Sequence, residues 1–298
     1  MNIPTNTPCF LTLVPVGGLA NRMKAIDSAV SLASATGSRL RIVWFRDSGL
    51  KCRFDQLFAP LDRIDGPELC EATLADLLLL DRPRKRNFRV PRLYQRLHFD
   101  RCIYEQEATR LFRQGFDFAR CLTSYRNLYI ASCVYFSPRL TGGQLFDIFH
   151  PQPLLQAEIE RVAAQCIGPR TMGIHIRRTD NVLSIEQSPT ELFIDRMEQE
   201  IAACPDVNFY LATDSEEEKE RLTARFGQRI TTCPRQAERN SVRGVQDAVV
   251  ELFLLSRTCR ILGSAHSSYS ETAAQLGGIP FEVVSRPSCP DTERRTLA

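Results

Sequence analysis

An apolar run that closes on two glycines and passes at once into a helix leaves a chain few ways to fold. Phe10-Leu-Thr-Leu-Val-Pro-Val16 is such a run, ended by Gly17-Gly18, and it reads as a buried strand entering a tight turn. Over 20–36, Met23, Ile26, Val30 and Ala33 fall on one helical face, and Gly37 occupies the C-cap position. Leu40-Arg-Ile-Val-Trp44 follows as a second strand. Strand, glycine turn, helix, strand is the pattern of a parallel βαβ sheet.

The pattern resumes after Pro151 and Pro153. A helix is expected over 154–166, then strand Thr171-Met-Gly-Ile-His-Ile176, a helix over 190–203 and strand Asn208-Phe-Tyr-Leu-Ala-Thr213. Ser215-Glu-Glu-Glu218 has the capping-box form, with three acids at the positive end of the next helix. A helix over 246–257 turns Val249, Val250, Phe253 and Leu254 inward, and Arg260-Ile-Leu262 is a strand ending in Gly263-Ser264. A short helix over 270–276 stops at Gly277-Gly278, and 281–284 is a last strand. The fold class expected is therefore α/β, with an N-terminal domain over 1–150, a C-terminal Rossmann-like domain over 151–286, a hinge near 145–155 and a polar tail over 287–298.

Composition narrows the function classes. The 298 residues are 43% hydrophobic and 24% charged, as in ordinary globular proteins, which sets aside disordered, collagen-like and coiled-coil readings. A net charge of +3 gives no reason to expect a nucleic-acid partner. The eleven cysteines lie no closer than Cys121 and Cys133, twelve apart, and His98, His150, His175 and His266 are equally scattered. No zinc spacing results, and buried, reduced thiols are expected. Residues 1–8 carry no basic leader, and the apolar stretch 9–16 is too short to span a bilayer. A soluble, cytoplasmic protein is expected, with any membrane contact peripheral, through a partner or substrate. The charge is unevenly spread: 81–126 holds twelve basic and five acidic residues, an excess of seven that leaves −4 for the rest. That segment reads either as a solvated helical face or as a contact for an acidic glycan or lipid-linked acceptor.

Ligands of open α/β sheets bind at the carboxyl ends of the strands, and four polar clusters stand there. Gly17-Gly-Leu-Ala-Asn-Arg22 offers backbone N–H groups at a helix N-terminus, with Asn21 and Arg22 as further donors; a plain tight turn fits equally. Its spacing is not the G-x-G-x-x-G of dinucleotide sites. In His175-Ile-Arg-Arg-Thr-Asp180, adjacent arginines at a strand end would repel unless they share an anion or face separate carboxylates. A pyrophosphate suits them, because guanidinium binds phosphate oxygens in bidentate fashion; a surface salt-bridge pair is the alternative. Asp214 holds a hydroxyl or a ring, or caps the following helix. Gly263-Ser-Ala-His-Ser-Ser268 places Ser264, Ser267 and Ser268 before a helix, as a phosphate cradle or, in part, as an N-cap.

His175-Ile-Arg-Arg-Thr-Asp180 resembles the H-x-R-R-x-D motif of the fucosyltransferase superfamily, which includes the α-1,6-, α-1,2- and protein O-fucosyltransferases. Phe209-Tyr-Leu-Ala-Thr-Asp214 is similar to the second motif of the α-1,6 branch, and 262–268 with its downstream helix to the third. Order and spacing agree over about 170–277. The stretch 17–22 resembles the glycine-rich first loop of the α-1,2 and O-fucosyl branches. Residues 45–150 show no match, and acceptor specificity is expected there.

The resemblance implies a GT-B glycosyltransferase, two Rossmann-like domains facing a cleft, with GDP-fucose bound mainly by the second half. By position Arg177 would bind the β-phosphate and Arg178 would support the local ion-pair geometry, beside Asp180. Ser267 and Ser268, after Ser264, would cradle the pyrophosphate. His175 and Asp214 would line the guanosine or sugar side, and Gly17, Gly18, Asn21 and Arg22 would reach the donor from the first domain. The α-1,6 branch has an acidic acceptor base shortly after the motif; Glu186 is nearest here, one residue later, and Asn181 replaces that branch's lysine. Negative charge on departing GDP must be neutralised by a metal or by fixed cations. The chain has no Asp-x-Asp pair and does have paired arginines, so an inverting, metal-independent transfer to a glycan or lipid-linked glycan is expected. Two rival readings are a transferase for another nucleotide sugar and a non-catalytic protein that docks an anionic partner through 81–126.

Overall fold

The computed structural model describes residues 9–61, 67–84, 87, 89–140, 145–179, 181–233 and 240–287. Asp180 and, but for Pro287, the expected tail lie outside the described residues. The chain forms β1 (Phe10–Pro15), α1 (Leu19–Thr36), β2 (Arg39–Trp44), β3 (Glu68–Glu71), α2 (Leu74–Leu79), α3 (Arg89–His98), β4 (Arg101–Ile103), α4 (Glu105–Arg113), α5 (Phe118–Ser124) and β5 (Asn127–Ser132). It continues with α6 (Pro153–Cys166), β6 (Thr171–Ile176), α7 (Val182–Gln187), α8 (Thr190–Ala203), β7 (Asn208–Thr213), α9 (Glu216–Phe226), β8 (Ile230–Thr232), α10 (Val242–Leu255), β9 (Ile261–Ser264), α11 (Ser268–Gly277) and β10 (Phe281–Val284). Two compact units result: Met1–Gln156 with Glu238–Val249, and Ala157–Ala237 with Val250–Ala298.

Each unit is built on one parallel sheet, and the α/β fold class read from the sequence holds. In the first the strand order is β3-β2-β1-β5-β4, and in the second β10-β9-β6-β7-β8. β1 runs beside β5 from Phe10 opposite Asn127 to Pro15 opposite Ser132. β6 is buried along its whole length, as a strand covered on both faces must be. Met172, Ile174 and Ile176 of β6 join Phe193, Met197, Phe209 and Leu222 in the second unit's core, where each large apolar side chain contributes about 1.5–3 kcal/mol.

α8 has the expected bounds; α10 begins and ends earlier than expected, and α11 is longer at both ends. α1 differs more. Met23, Ile26 and Ala33 are buried as expected, but so are Arg22, Lys24, Asp27, Ser28 and Ser31. The reason is the segment after β5, which covers the helix's polar side. The Ser28 hydroxyl accepts from Phe136 N at 3.3 Å, the Ser31 hydroxyl from Leu140 N at 2.9 Å, and the Asp27 carboxylate from Phe146 N at 3.1 Å. Burial pushes the Asp27 carboxyl up, against that hydrogen bond and Arg139. The ten described cysteines are all free thiols.

Candidate functional site

In the second unit the chain runs from β6 outward to β7 and β8, then returns to place β9 and β10 on the other side. The strand order therefore reverses at β6, and in such sheets the crevice beyond the carboxyl ends at this point is where ligands bind. Two of the polar clusters meet there. Arg177 N donates to Ser264 Oγ at 3.1 Å, and Ser264 Oγ donates to His175 O at 3.4 Å, tying the end of β9 to the end of β6. Gly263 lets α11 and β10 close on the end of β9: a Cβ on it would lie 2.7 Å from the Phe281 ring and closer still to Ser270. Ser264 is thus a buried tie between strands.

Asp214, at the end of β7, organises the loop that carries the arginines. Its carboxylate accepts from Arg178 N at 2.7 Å, from Thr179 N at 3.3 Å and from the Thr179 hydroxyl at 2.6 Å, and it pairs with Arg177 Nη1 at 3.0 Å. Burial alone would raise its pKa, but Arg177 and these donors together hold the carboxyl below its ordinary value. The hydroxyl it holds is the chain's own. The helix cap falls to Ser215, whose side chain accepts from Glu218 N at 3.3 Å. The expected capping box is completed on one side only, because the Glu218 carboxylate turns away to accept from the Thr190 hydroxyl at 2.7 Å.

The adjacent arginines avoid mutual repulsion by facing separate carboxylates. Arg178 donates from every nitrogen of its guanidinium: Nε to the Thr190 hydroxyl and Glu218, Nη1 to Arg177 O at 2.8 Å, and Nη2 to Ser188 O at 2.9 Å and again to Thr190 at 2.7 Å. Its fork is spent on the protein, so it shapes the loop that presents Arg177. Arg177 keeps a partly exposed guanidinium against Asp214.

The loop from β9 to α11 completes this cluster. His266 takes a left-handed φ of 55°, and its carbonyl accepts from Asn181 Nδ2 at 2.9 Å while its ring meets Gln187 Oε1 at 3.1 Å. Ser188 Oγ accepts from Ala265 N at 2.8 Å. Ser267 is the N-cap of α11 but makes no side-chain cap hydrogen bond. It and Ser268 are half-buried at a helix N-terminus, which favours an anion. Glu186 stands exposed on α7.

In the first unit Gly17 has φ +87°, a backbone state that favours glycine. Arg22 departs from expectation. It is 0% exposed, and its guanidinium donates to Gly17 O at 2.8 Å, Phe45 O at 2.5 Å and Asp47 Oδ1 at 2.8 Å, lying 4.7 Å above the Trp44 ring. All three nitrogens are engaged by the protein and the side chain has no exposed surface, so Arg22 is closed to an anion and holds the glycine turn in shape. Burial lowers its pKa to about 10 against the opposing charge of Asp47, so it stays a cation at neutral pH. Asn21 lies half-buried in the first turn of α1.

Sequence reasoning missed Ser188, Thr190, Gln187 and the side-chain role of Glu218. Ser188-Pro-Thr190 before a periodic helix was a legible start signal, but its pairing with Arg178 joins positions that only folding brings together.

His175 is buried, its ring centroid 5.0 Å from that of Tyr269, and its Nδ1 has no hydrogen-bond partner. Burial first, then Arg177, lower its pKa to about 4, so the imidazole is neutral at physiological pH. Between about 4 and 6.5 the unfolded chain binds this proton and the folded one does not, so stability falls as pH drops through that window. The loss expected from this group is on the order of 3 kcal/mol. Urea denaturation of the protein and of His175→Gln across that range should show a flatter acid limb in the variant.

No protein-family model matches this chain, and no curated protein matches its sequence. Solved structures do. NodZ α-1,6-fucosyltransferase co-crystallised with GDP superposes with a TM-score of 0.63 at 17% identity, over 91% of this chain and 93% of the other. NodZ from Bradyrhizobium gives 0.62 at 18% identity, over 91% and 94%. A variant of FUT1 from Arabidopsis thaliana in complex with GDP gives 0.58 at 15% identity, over 96% and 72%. POFUT1 in complex with GDP gives 0.55 at 10% identity, over 94% and 99%. The likeness at such identities is one of fold, and by fold this chain is of the GT-B type seen in these fucosyltransferases.

Proposed function

We propose that this protein transfers fucose from GDP-fucose to a hydroxyl of a glycan, free or lipid-linked, in the cytoplasm, with inversion and without a metal. The observation that carries the reading is Arg177 beside the N-terminus of α11, where the strand order of the second unit reverses. Asp214 keeps three donors from Arg178 and Thr179, so Arg177 can turn to a diphosphate without stranding the half-buried carboxylate. The solved neighbours with GDP or GDP-fucose support guanine and fucose as the donor's parts.

In this mechanism a base takes the proton of the acceptor hydroxyl, and its oxygen attacks the anomeric carbon from the face opposite GDP. The bond from that carbon to the β-phosphate oxygen breaks, and its electron pair leaves with GDP. Arg177, Ser267, Ser268 and the α11 N-terminus stabilise that charge. Arg178, Asp214 and Ser264 position Arg177. Glu186 is the candidate base. Gly17, Gly18 and Asn21 would approach the donor from the first unit, whose residues 1–150 would select the acceptor.

Thermal shift with GDP, UDP and CMP tests the donor. GDP at a hundred times its Kd should stabilise the fold by about 2.7 kcal/mol, UDP and CMP far less, and GDP-fucose should be hydrolysed slowly without acceptor. Stabilisation by UDP or CMP above that by GDP would assign another nucleotide sugar. No stabilisation and no hydrolysis would leave a binding protein and defeat the reading.

A further inference from the structure

The basic segment 81–126 is not uniform in the fold. Arg82 pairs with Glu105 at 3.0 Å, Arg84 with Asp81 at 2.9 Å and Arg101 with Glu107 at 3.1 Å. Those cations belong to the unit's own ion pairs. On α3 the arrangement is different. Val90, Leu93 and Leu97 are 55%, 64% and 81% exposed, and at 3.6 residues per turn they form one stripe spanning about 60°. Arg89, Arg92 and Arg96, exposed as well, form the stripe beside it.

The inward side of this helix sets Pro91 and, against the core, Tyr94 around one buried polar group. Gln95 is 0% exposed; its amide donates to Leu79 O at 3.1 Å and Asp81 O at 2.9 Å and accepts from the Tyr104 hydroxyl at 2.9 Å. Neighbouring α2 repeats the pattern. Asp76 is buried in the Thr73 capping box, while Leu74, Leu77 and Leu78 are 82%, 44% and 62% exposed. Half of the twelve strongly exposed large apolar side chains among the described residues therefore lie on these two helices, which pack on each other. A helix pair that seats Leu79 and Tyr94 on the core and still turns six large apolar side chains outward is built for a second apolar phase.

We propose that α2 and α3 dock the protein on an anionic lipid bilayer. The occupant follows from charge: neither helix exposes a carboxylate, and the arginines border the leucines on one face. Leucines entering the acyl boundary beside cations that remain at the phosphate level are the interfacial pattern, and each such cation adds attraction to an anionic leaflet. The dock stands apart from the donor chemistry and is tested without it.

The test is co-sedimentation of the full chain with vesicles of phosphatidylcholine, alone and mixed two to one with phosphatidylglycerol. Binding is expected to the mixed vesicles, weakened by added salt. Arg92→Gln/Arg96→Gln should lower the partition coefficient about thirtyfold and Leu93→Ser/Leu97→Ser at least about tenfold. Leu154→Ser, an equally exposed leucine on α6, should leave binding unchanged. Unaltered circular dichroism and melting of each variant exclude unfolding as the cause. Absence of binding to mixed vesicles overturns the proposal, as does binding that both α3 variants retain. So does light scattering of a dimer that Leu93→Ser/Leu97→Ser converts to monomer without any vesicle binding.

Discussion

Arg177→Ala is expected to lower fucosyl transfer and slow donor hydrolysis by on the order of 10²–10³-fold while the protein stays folded. The guanidinium stands partly exposed against Asp214 in the loop after β6, and the charge it meets grows as GDP departs. Removing it costs Asp214 one partner, but Arg178 N, Thr179 N and the Thr179 hydroxyl remain. Melting should therefore shift by only a few degrees. Arg177→Lys should recover part of the rate, since a point charge replaces a planar fork. An Arg177→Ala enzyme with near-normal transfer would remove Arg177 from the mechanism, and one that fails to fold would move it to the structural group of Arg178.

Arg22→Ala should act in the opposite way, through stability. Its side chain is buried with three hydrogen-bonded acceptors and an aromatic face. Deleting it leaves Gly17 O and Phe45 O without their donor, and Asp47 with Gly49 N at 2.9 Å and Arg84 at 3.4 Å. Breaking a buried charge network of this kind costs about 3–5 kcal/mol, which for a chain of this size corresponds to a fall in Tm on the order of 10 °C. Arg22→Lys should rescue little, because an ammonium cannot reach three divergent acceptors. Differential scanning calorimetry of both variants decides it; an Arg22→Ala protein as stable as the parent would show that the turn holds without the guanidinium.

These two arginines mark the limit of what was legible. Both stand beside glycine-rich or strand-end motifs that resemble ligand loops, and both were read as donors to an anion. One is partly exposed at the strand-order reversal; the other is sealed against Trp44. Nothing local separates them, since the difference is made by Phe45 and Asp47, more than twenty residues beyond Arg22. Arg178 repeats the case: its partners Ser188, Thr190 and Glu218 lie at 10, 12 and 40 residues' distance. The middle of the first unit was opaque for a related reason. β4 has three residues and α2 six, too short for periodicity to speak, and α3 turns Val90, Leu93 and Leu97 outward, so its apolar stripe does not mark the side that meets the core.

Alternation of apolar runs with helical patterns determined the α/β class, the strands that end at the polar clusters, and the cluster motifs, because burial in a parallel sheet imposes a local and repeated demand on residue type. Which strands lie side by side, which arginine is sealed and which is presented, and which face of α3 meets the core were decided only in three dimensions. Those outcomes depend on long-range pairs whose energies have no local signature. A half-buried carboxylate such as Asp214 selects its partners by what the fold brings within hydrogen-bond reach.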